Sequence, residues 1–384
     1  MSVFKPLQVF FGEHMFKNAM GLTIVAIVAW LAHLQGIVGA AHVLWISLIV
    51  LSSLVIWRAG DFFAPASTYI QNHHNLPQSI KAAVIDAVAS SFPEFCVAVI
   101  ATIQLGKAEV GVSTIIGSAL YNVLVIPAAA GLVATSPMKI GKEVVWRDNV
   151  FYLAVVALLY AMLTQIGEVQ PSGEVQTFWG LGVALLFLGT YLLYVFWLQH
   201  DYRKYQQAHV GEPEPESNDG DDDDPIEITS EGQAWTWIAG MMVLMGLASE
   251  VLVQSSIHLG DLLNIKPVVM GFVIIAAGTS VPDTALSVIS AQRGNYDAAL
   301  SNVFGSNIFD ICICLSVPVL LALPMTGVTL IDLQQVELVW ALIAATALAF
   351  YLFWSKNYTL TKPKAGLMGF TYLMIVVYAV ATGV

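Results

Sequence analysis

Residues 278–310 place carboxylate and hydroxyl side chains within otherwise apolar sequence. Asp283 follows Pro282, and Thr279 and Ser280 precede the proline. Because proline removes a backbone N–H and clashes with the carbonyl four residues earlier, a helix should be broken here and a carbonyl freed. Carboxylate, hydroxyl and carbonyl oxygens are the ligands that hard cations such as Ca²⁺ prefer. The pattern therefore predicts a cation site built from oxygen atoms.

The same pattern occurs twice in the chain. Residues 90–94 (Ser-Ser-Phe-Pro-Glu) precede residues 279–283 (Thr-Ser-Val-Pro-Asp) by 189 positions. Residues 117–122 (Gly-Ser-Ala-Leu-Tyr-Asn) precede residues 305–310 (Gly-Ser-Asn-Ile-Phe-Asp) by 188 positions. Two matched pairs of segments at nearly the same offset indicate an internal duplication, with one half-site in each copy.

The composition indicates a membrane protein. Of the 384 residues, 57% are hydrophobic and 11% are charged, where soluble proteins have about 25% charged residues. A carboxylate at membrane depth costs about 2.5–3.5 kcal/mol and is therefore a candidate functional residue. The three cysteines, Cys96, Cys312 and Cys314, lie in apolar runs and suggest buried thiols rather than disulfides. A lipid bilayer is the expected environment, and no nucleic-acid partner is expected.

The apolar runs predict an all-α integral membrane protein of about 11 transmembrane helices, each near the 20 residues that a span requires. An extra N-terminal span comes first, within residues 1–42, with a signal peptide cleaved after Ala40 as the alternative. Ten further spans are predicted at residues 43–60, 78–103, 110–134, 149–166, 177–199, 235–257, 267–291, 298–323, 333–354 and 366–383.

These spans divide the chain into an N-terminal segment (1–42), a first five-helix repeat (43–200), a loop (201–233) and a second five-helix repeat (234–384). Eleven of the 27 acidic residues lie in the loop, whose composition predicts a disordered linker. A calcium-sensing role for this loop is the alternative, although the aspartates at 219–224 lack the ligand spacing of a helix–loop–helix site.

The basic residues predict the orientation. With the N-terminus in the cytoplasm, 13 of the 15 lysines and arginines fall on the cytoplasmic side, and only Lys107 and Lys266 fall outside. This predicts a multi-pass cell-membrane protein whose N-terminus and acidic loop are cytoplasmic and whose C-terminus is outside. Because each repeat has an odd number of spans, the two repeats should be inverted, which is an architecture of secondary transporters.

The duplicated segments resemble the two alpha-repeats of the calcium/cation antiporter superfamily, and in particular the sodium/calcium exchangers. Gly-Thr-Ser-Val-Pro-Asp at 278–283 and Gly-Ser-Asn-Ile-Phe-Asp at 305–310 are similar to the second repeat, most of all in the potassium-dependent branch and its prokaryotic relatives. Residues 90–94 and 113–122 are similar to the first repeat. The motifs cover about 80 residues of the chain.

The resemblance implies a set of ion ligands. Glu94 and Asp283 match the positions that hold the central cation, and Asn122 and Asp310 match those that complete a diamond around it. Other positions match those that serve sodium: the hydroxyls of Ser90, Ser91, Ser118, Thr279, Ser280 and Ser306, and the backbone carbonyls near Ala87 and Ala276.

Some acidic residues and motif positions do not follow this pattern. Ala89 replaces a glycine that is expected before the first pair of serines, and Phe92 replaces a small residue before the first proline. Asp86 lies five residues after Lys81, so we interpret it as a vestibule residue rather than a ligand. Asp61 and Glu250, which are also 189 positions apart, are interpreted as having structural partners.

The charge of the site suggests the transport cycle. Three negative charges are present when Glu94, Asp283 and Asp310 are ionised. One Ca²⁺ ion neutralises two of these charges and leaves the third, whereas three Na⁺ ions, or Ca²⁺ with one monovalent ion, neutralise all three. The sequence thus predicts a non-enzymatic antiporter that exchanges Na⁺ for Ca²⁺ by alternating access, with K⁺ as a candidate co-transported ion and without an organic cofactor. A Ca²⁺/H⁺ or other divalent cation/proton antiporter is one alternative, and a cation channel is another. The oligomeric state is open.

Overall fold

The part of the chain that the structure describes is almost entirely helical. The computed structural model describes residues 5–74, 87–142, 144–164, 167–169, 175–208, 226–292, 294, 296–332 and 336–383. The α-helices are α1 (Lys5–Leu34), α2 (Ala40–His73), α3 (Ala87–Val99), α4 (Ala108–Val133), α5 (Asn149–Thr164), α6 (Leu181–Ala208), α7 (Glu231–Leu263), α8 (Pro267–Met270), α9 (Ala276–Thr279), α10 (Val281–Gln292), α11 (Tyr296–Phe309), α12 (Ser316–Thr326), α13 (Val336–Tyr358) and α14 (Lys362–Thr382). Four π-helical turns adjoin them, at Ile100–Gln104, Val144–Asp148, Gly271–Ile275 and Asp310–Cys314.

The membrane spans agree with the sequence prediction. Among the described residues, nine helical segments are long and apolar enough to cross a bilayer. The bent pair Pro267–Thr279 and Val281–Gln292 makes a tenth, and Val88–Gln104 is a shorter apolar helix. These segments occupy the eleven predicted positions, which confirms the all-α membrane class.

Short strands lie between some of the helices and were not predicted. β2 (Gly167–Val169), β3 (Val175–Trp179) and β4 (Thr329–Asp332) form an antiparallel sheet in that order, with Thr177 opposite Ile331. β1 (Met138–Lys139) pairs with β5 (Thr359–Leu360). Both sheets join segments from the two halves of the sequence, and strands of two to five residues are too short to give a periodic pattern.

The contacts divide the chain into two compact units that differ from the sequence repeats. The first unit contains residues Met1–Pro93 and Tyr194–Leu263, and the second contains Glu94–Leu193 and Asn264–Val384. The proposed division into repeats is based on sequence symmetry, so it stays a prediction beside this division by packing. Helical structure also extends into both ends of the predicted acidic loop, because α6 reaches Ala208 and α7 begins at Glu231; residues 209–225 lie outside the described part of the chain.

In the first unit, α2 packs along α7, and α1 packs against α2. Their shared core contains buried side chains from both α2 and α7: Phe63, Ala66, Ile70, Ala234 and Ile238. The Phe62 ring stacks on Trp237 with centroids 5.5 Å apart. This core fixes the end of α2 beside the beginning of α7.

In the second unit, α4 is the central helix. Its apolar window is 78% buried, against 17% for α14. Helix α4 crosses the segment Gly271–Ala276 with almost no space between the two backbones. A Cβ atom added at Gly117 would lie 2.1 Å from the carbonyl oxygen of Phe272, and one added at Gly271 would lie 2.7 Å from Ser113 Oγ. Glycine is therefore required at position 117, where a Cβ would overlap the backbone, whereas at position 271 the Ser113 side chain would have to move.

The two prolines of the duplicated motif behave differently. The chain bends by 47° between Thr279 and Val281, and Pro282 is the second residue of α10, where a missing N–H costs little. This agrees with the predicted break. Pro93, in contrast, lies inside α3, which continues through it from Ala87 to Val99.

Candidate cation site

Three carboxylates lie completely inside the protein. Glu94 is on α3, Asp283 is in the first turn of α10, and Asp310 begins the π-helical turn after α11. Each has 0% exposed surface. The helix break before α10 brings Asp283 to the level of α4, where its partners from the first motif are found.

Ser118, on α4, connects two of these carboxylates. Its Oγ lies 3.3 Å from Glu94 Oε1, 3.4 Å from Asp310 Oδ2 and 2.9 Å from Ser280 Oγ. Ser280 Oγ is also 3.5 Å from Glu94 Oε1. A hydroxyl has one proton to donate, so Ser118 cannot satisfy both carboxylates at once. Its lone pairs remain available to a cation.

Asp283 accepts hydrogen bonds from two other side chains of the same cluster. Asn122 Nδ2 donates to Asp283 Oδ2 at 3.2 Å, and Ser306 Oγ donates to the same oxygen at 3.4 Å. The Ser306–Asp283 contact is the repeat equivalent of the Ser118–Glu94 contact, and the two distances agree within 0.1 Å. The duplicated motifs thus build the same hydroxyl–carboxylate pair twice.

Asn307 is a site residue that the sequence analysis missed. Asn122 Nδ2 donates to Asn307 Oδ1 at 3.0 Å, and Asn307 Nδ2 donates to the carbonyl of Ala119 at 3.2 Å. Because both Nδ2 hydrogens of Asn122 are engaged, its Oδ1 is the atom left as a ligand. A signal was present: Asn307 replaces Ala119 where the two motifs are otherwise similar.

The cluster has oxygen atoms that are buried and have no hydrogen bond among the described residues. Glu94 Oε2 and Asn122 Oδ1 are two of them. Leaving such acceptors unsatisfied is costly, by about 1–3 kcal/mol for each group. A bound cation would satisfy them, and the all-oxygen chemistry of the carboxylates, hydroxyls and amide suits Ca²⁺ or Na⁺.

The remaining predicted ligands lie next to this cluster in sequence. Thr279 is buried, and its Oγ1 donates to the carbonyl of Ala276 at 3.1 Å. Ser90 and Ser91 are buried on α3 before Glu94, and Ala87 is the first residue of that helix. These last three belong to the first unit, so their part in the site stays a prediction.

The other acidic residues have local partners. Asp61 is paired with Arg58 on the same helix, and Gln254 Nε2 donates to Glu250 Oε1 at 3.0 Å. This confirms the structural interpretation of both acids. Asp86 lies outside the described residues. The three cysteines are not joined in disulfides; Cys312 and Cys314 are buried, as predicted, whereas Cys96 is partly exposed.

The family model for the sodium/calcium exchanger protein matches residues 44–199 and 233–381. The chain belongs to this family. The matched regions include both motifs and leave out the acidic loop. The family confirms that the chain is a membrane antiporter for cations and supports calcium as a transported ion.

Two curated proteins are similar to the chain over most of its length. The chain is 29% identical over 269 residues to the putative antiporter CaxA of Alkalimonas amylolytica, which covers 70% of the chain and 78% of the relative. It is 25% identical over 342 residues to sodium/potassium/calcium exchanger 5 of Homo sapiens, which covers 67% of the chain and 66% of the relative.

Solved structures share the fold. The sodium–calcium exchanger NCX_Mj matches with a TM-score of 0.57 at 20% identity, covering 88% of this chain and 98% of that one. The H⁺/Ca²⁺ exchanger CAX matches with a TM-score of 0.66 at 13% identity, covering 97% and 93%. At these identities the likeness concerns the fold alone.

Proposed function

We propose that this antiporter exchanges Na⁺ for Ca²⁺ across a cell membrane, by alternating access to the buried carboxylate cluster. The observation that carries the proposal is a cluster of three carboxylates at 0% exposure, Glu94, Asp283 and Asp310. Glu94 and Asp310 lie beside the hydroxyl of Ser118, and Asp283 lies beside the hydroxyl of Ser306. Glu94 and Asp283 hold the central Ca²⁺ ion in this proposal, with Asn122 and Asp310 beside them.

The charges explain why the two ions would exchange. Three ionised carboxylates without cations would be strongly destabilised at this depth. Ca²⁺ removes two of the three negative charges, and Na⁺ ions can remove all three. The carboxylates need bound cations before the site can change its access from one side of the membrane to the other. Because both ions bind the same oxygens, the site releases one ion before it carries the other back.

Hydroxyl groups are the proposed sodium ligands. Ser118, Ser280 and Ser306 lie in direct contact with the carboxylates, so each can join the coordination of a neighbouring monovalent ion. The proposed set also includes Ser90, Ser91 and Thr279, with the carbonyls near Ala87 and Ala276. In the proposed orientation the N-terminus and the acidic loop are cytoplasmic and the C-terminus is outside.

Ion flux in proteoliposomes tests the proposal. Vesicles loaded with Na⁺ are diluted into sodium-free buffer that contains radiolabelled Ca²⁺, and uptake is followed with K⁺ and pH gradients imposed separately. We expect uptake that requires internal Na⁺ and stops when the sodium gradient is collapsed. Uptake that ignores the sodium gradient would contradict the proposal.

Proton-coupled calcium transport is the second candidate. It is favoured by the position of Ser118 Oγ between Glu94 and Asp310, because two carboxylates that share one hydroxyl donor can be neutralised by protons. In the same assay, uptake that follows a pH gradient in the absence of Na⁺ would support this candidate. Uptake without any counter-ion gradient would instead support a channel.

A further inference from the structure

Two histidines and a glutamate meet where α2 ends and α7 begins. His73 Nε2 lies 3.5 Å from Glu231 Oε2, and His74 Nε2 lies 3.0 Å from Glu231 Oε1. One ligand atom from each residue can be chosen so that all three lie within 4.8 Å of one another. All three residues belong to the first unit, whereas the carboxylate cluster is in the second.

The spacing of these atoms is close to that of a metal site. Tetrahedral zinc with bonds of about 2.0–2.1 Å to nitrogen and oxygen separates neighbouring ligand atoms by about 3.3 Å. The two histidine–glutamate separations, 3.0 and 3.5 Å, are near that value but involve different carboxylate oxygens, so small side-chain movements would bring one atom from each residue around a single ion. The side chains are 42–49% exposed, so water can complete the coordination.

Two of the three ligands are positioned by a neighbour. The Tyr69 ring stacks on His73 at a centroid distance of 5.8 Å and an angle of 11°, and Trp235 Nε1 donates to Glu231 Oε1 at 3.3 Å. Ile70 on α2 and Ala234 on α7, each three residues from a ligand in the sequence, belong to the packed core that joins these two helices. Supporting contacts of this kind orient metal ligands and strengthen their binding.

We propose that His73, His74 and Glu231 form a surface site for a divalent transition-metal ion of the Zn²⁺ class, which ties the end of α2 to the start of α7. Imidazole nitrogen selects such ions over Ca²⁺ and Na⁺, which prefer oxygen. The site is therefore chemically distinct from the carboxylate cluster.

Zinc binding to the purified full-length chain, prepared with a tag that contains no histidine, tests this site. Competition with a zinc indicator and metal analysis after dialysis are carried out in excess Ca²⁺. We expect one Zn²⁺ ion per chain and a loss of affinity of at least about tenfold in His73→Ala/His74→Ala and in Glu231→Gln. His33→Ala, which changes an exposed histidine at the end of α1, is the matched control and should bind zinc normally.

Two further measurements make the result decisive. Co²⁺ added to the unmodified protein should give the visible absorption of a tetrahedral nitrogen and oxygen site. This measurement does not depend on the folding of any variant. Zn²⁺ should raise the unfolding temperature of the parent but not of the double variant. Zinc binding should survive Glu94→Gln, so its outcome is independent of the transport proposal. Absence of bound zinc in the parent, or equal binding by the double variant, would leave only histidine–glutamate pairing and overturn the proposal.

Discussion

Ser118 has a single hydroxyl proton and two carboxylates within reach, at 3.3 and 3.4 Å. Whichever carboxylate accepts this proton, the other does not receive it. Serine at this position therefore cannot donate to both carboxylates, and in the proposed mechanism a bound cation neutralises them. An alanine would remove a ligand and the contact with Ser280 together.

Glu94→Gln and Asp283→Asn should each abolish calcium transport. Removal of an ionic ligand from a buried site costs about 3 kcal/mol, which lowers calcium flux by about 100-fold or more. Flux in proteoliposomes gives the measurement, and size-exclusion chromatography checks that the variants are folded. Glu250→Gln is the matched control, because Glu250 contacts Gln254 on its own helix, and it should retain flux. Equal losses in all three variants would show that the cluster is not specifically required.

Asp310 should make transport responsive to a monovalent ion. Its repeat counterpart is Asn122, so it adds one negative charge that Ca²⁺ alone does not neutralise. We expect K⁺ to stimulate calcium uptake in the parent and to have no effect on Asp310→Asn, with choline replacing K⁺ as the measurement. Asp297→Asn, an exposed acid on α11, should keep the response. A parent that ignores K⁺ would refute this and leave the proton as the companion ion.

The crossing of α4 over the segment Gly271–Ala276 decides where the hydroxyls of α4 lie. Gly117 and Ser118 are adjacent, so the closest approach of the two backbones is directly beside the hydroxyl that contacts Glu94. Any side chain at Gly117 would push α4 away and lengthen the contacts of Ser118. The glycine thus determines the geometry of the site without contacting an ion.

Gly117→Ala should destabilise the protein and reduce transport. Its Cβ would lie 2.1 Å from the Phe272 carbonyl oxygen and 2.8 Å from Ala276 Cβ, and overpacking of this kind costs about 1–3 kcal/mol. Gly305 occupies the same motif position in the second repeat, yet a Cβ there meets nothing within 4 Å. We therefore expect Gly305→Ala to be tolerated. Thermal unfolding and calcium flux of the two variants provide the comparison, and equal effects would show that the crossing has room for a methyl group.

Deletion of residues 212–224 should preserve exchange. The segment is acidic, lacks an apolar face and lies between the end of α6 at Ala208 and the start of α7 at Glu231. We expect calcium flux within about twofold of the parent, because both halves of the carboxylate cluster are untouched. Loss of flux, or loss of activation by calcium at a separate site, would indicate a regulatory role for the loop.

The sequence predicts the helices and the carboxylates well because both leave direct signals. Apolar runs mark spans, and Asp283 and Asp310 stand out within them. The spacing requirement at Gly117 leaves no such signal, because it depends on which backbone lies opposite in three dimensions. The difference between Ala119 and Asn307 marks a position where the motifs diverge, but it does not show which groups Asn307 contacts. The pairing of β1 with β5 and of β3 with β4 was missed for the same reason, since those strands are far apart in the chain. The pairing of β2 with β3 is local and was missed because the strands are short.

The hydrogen bond from Asn307 to the carbonyl of Ala119 joins two positions that correspond between the repeats. If the two halves are related by the predicted inversion, corresponding positions that contact each other lie beside its axis. In an ancestor assembled from two identical halves, this position would have faced its own copy, so every substitution there would have appeared twice at once. An alanine and an asparagine can face each other only when the two copies are encoded separately, as they are in this chain. The two halves can no longer be interchanged at this contact, and a hybrid made of two first halves would lose the group that orients Asn122.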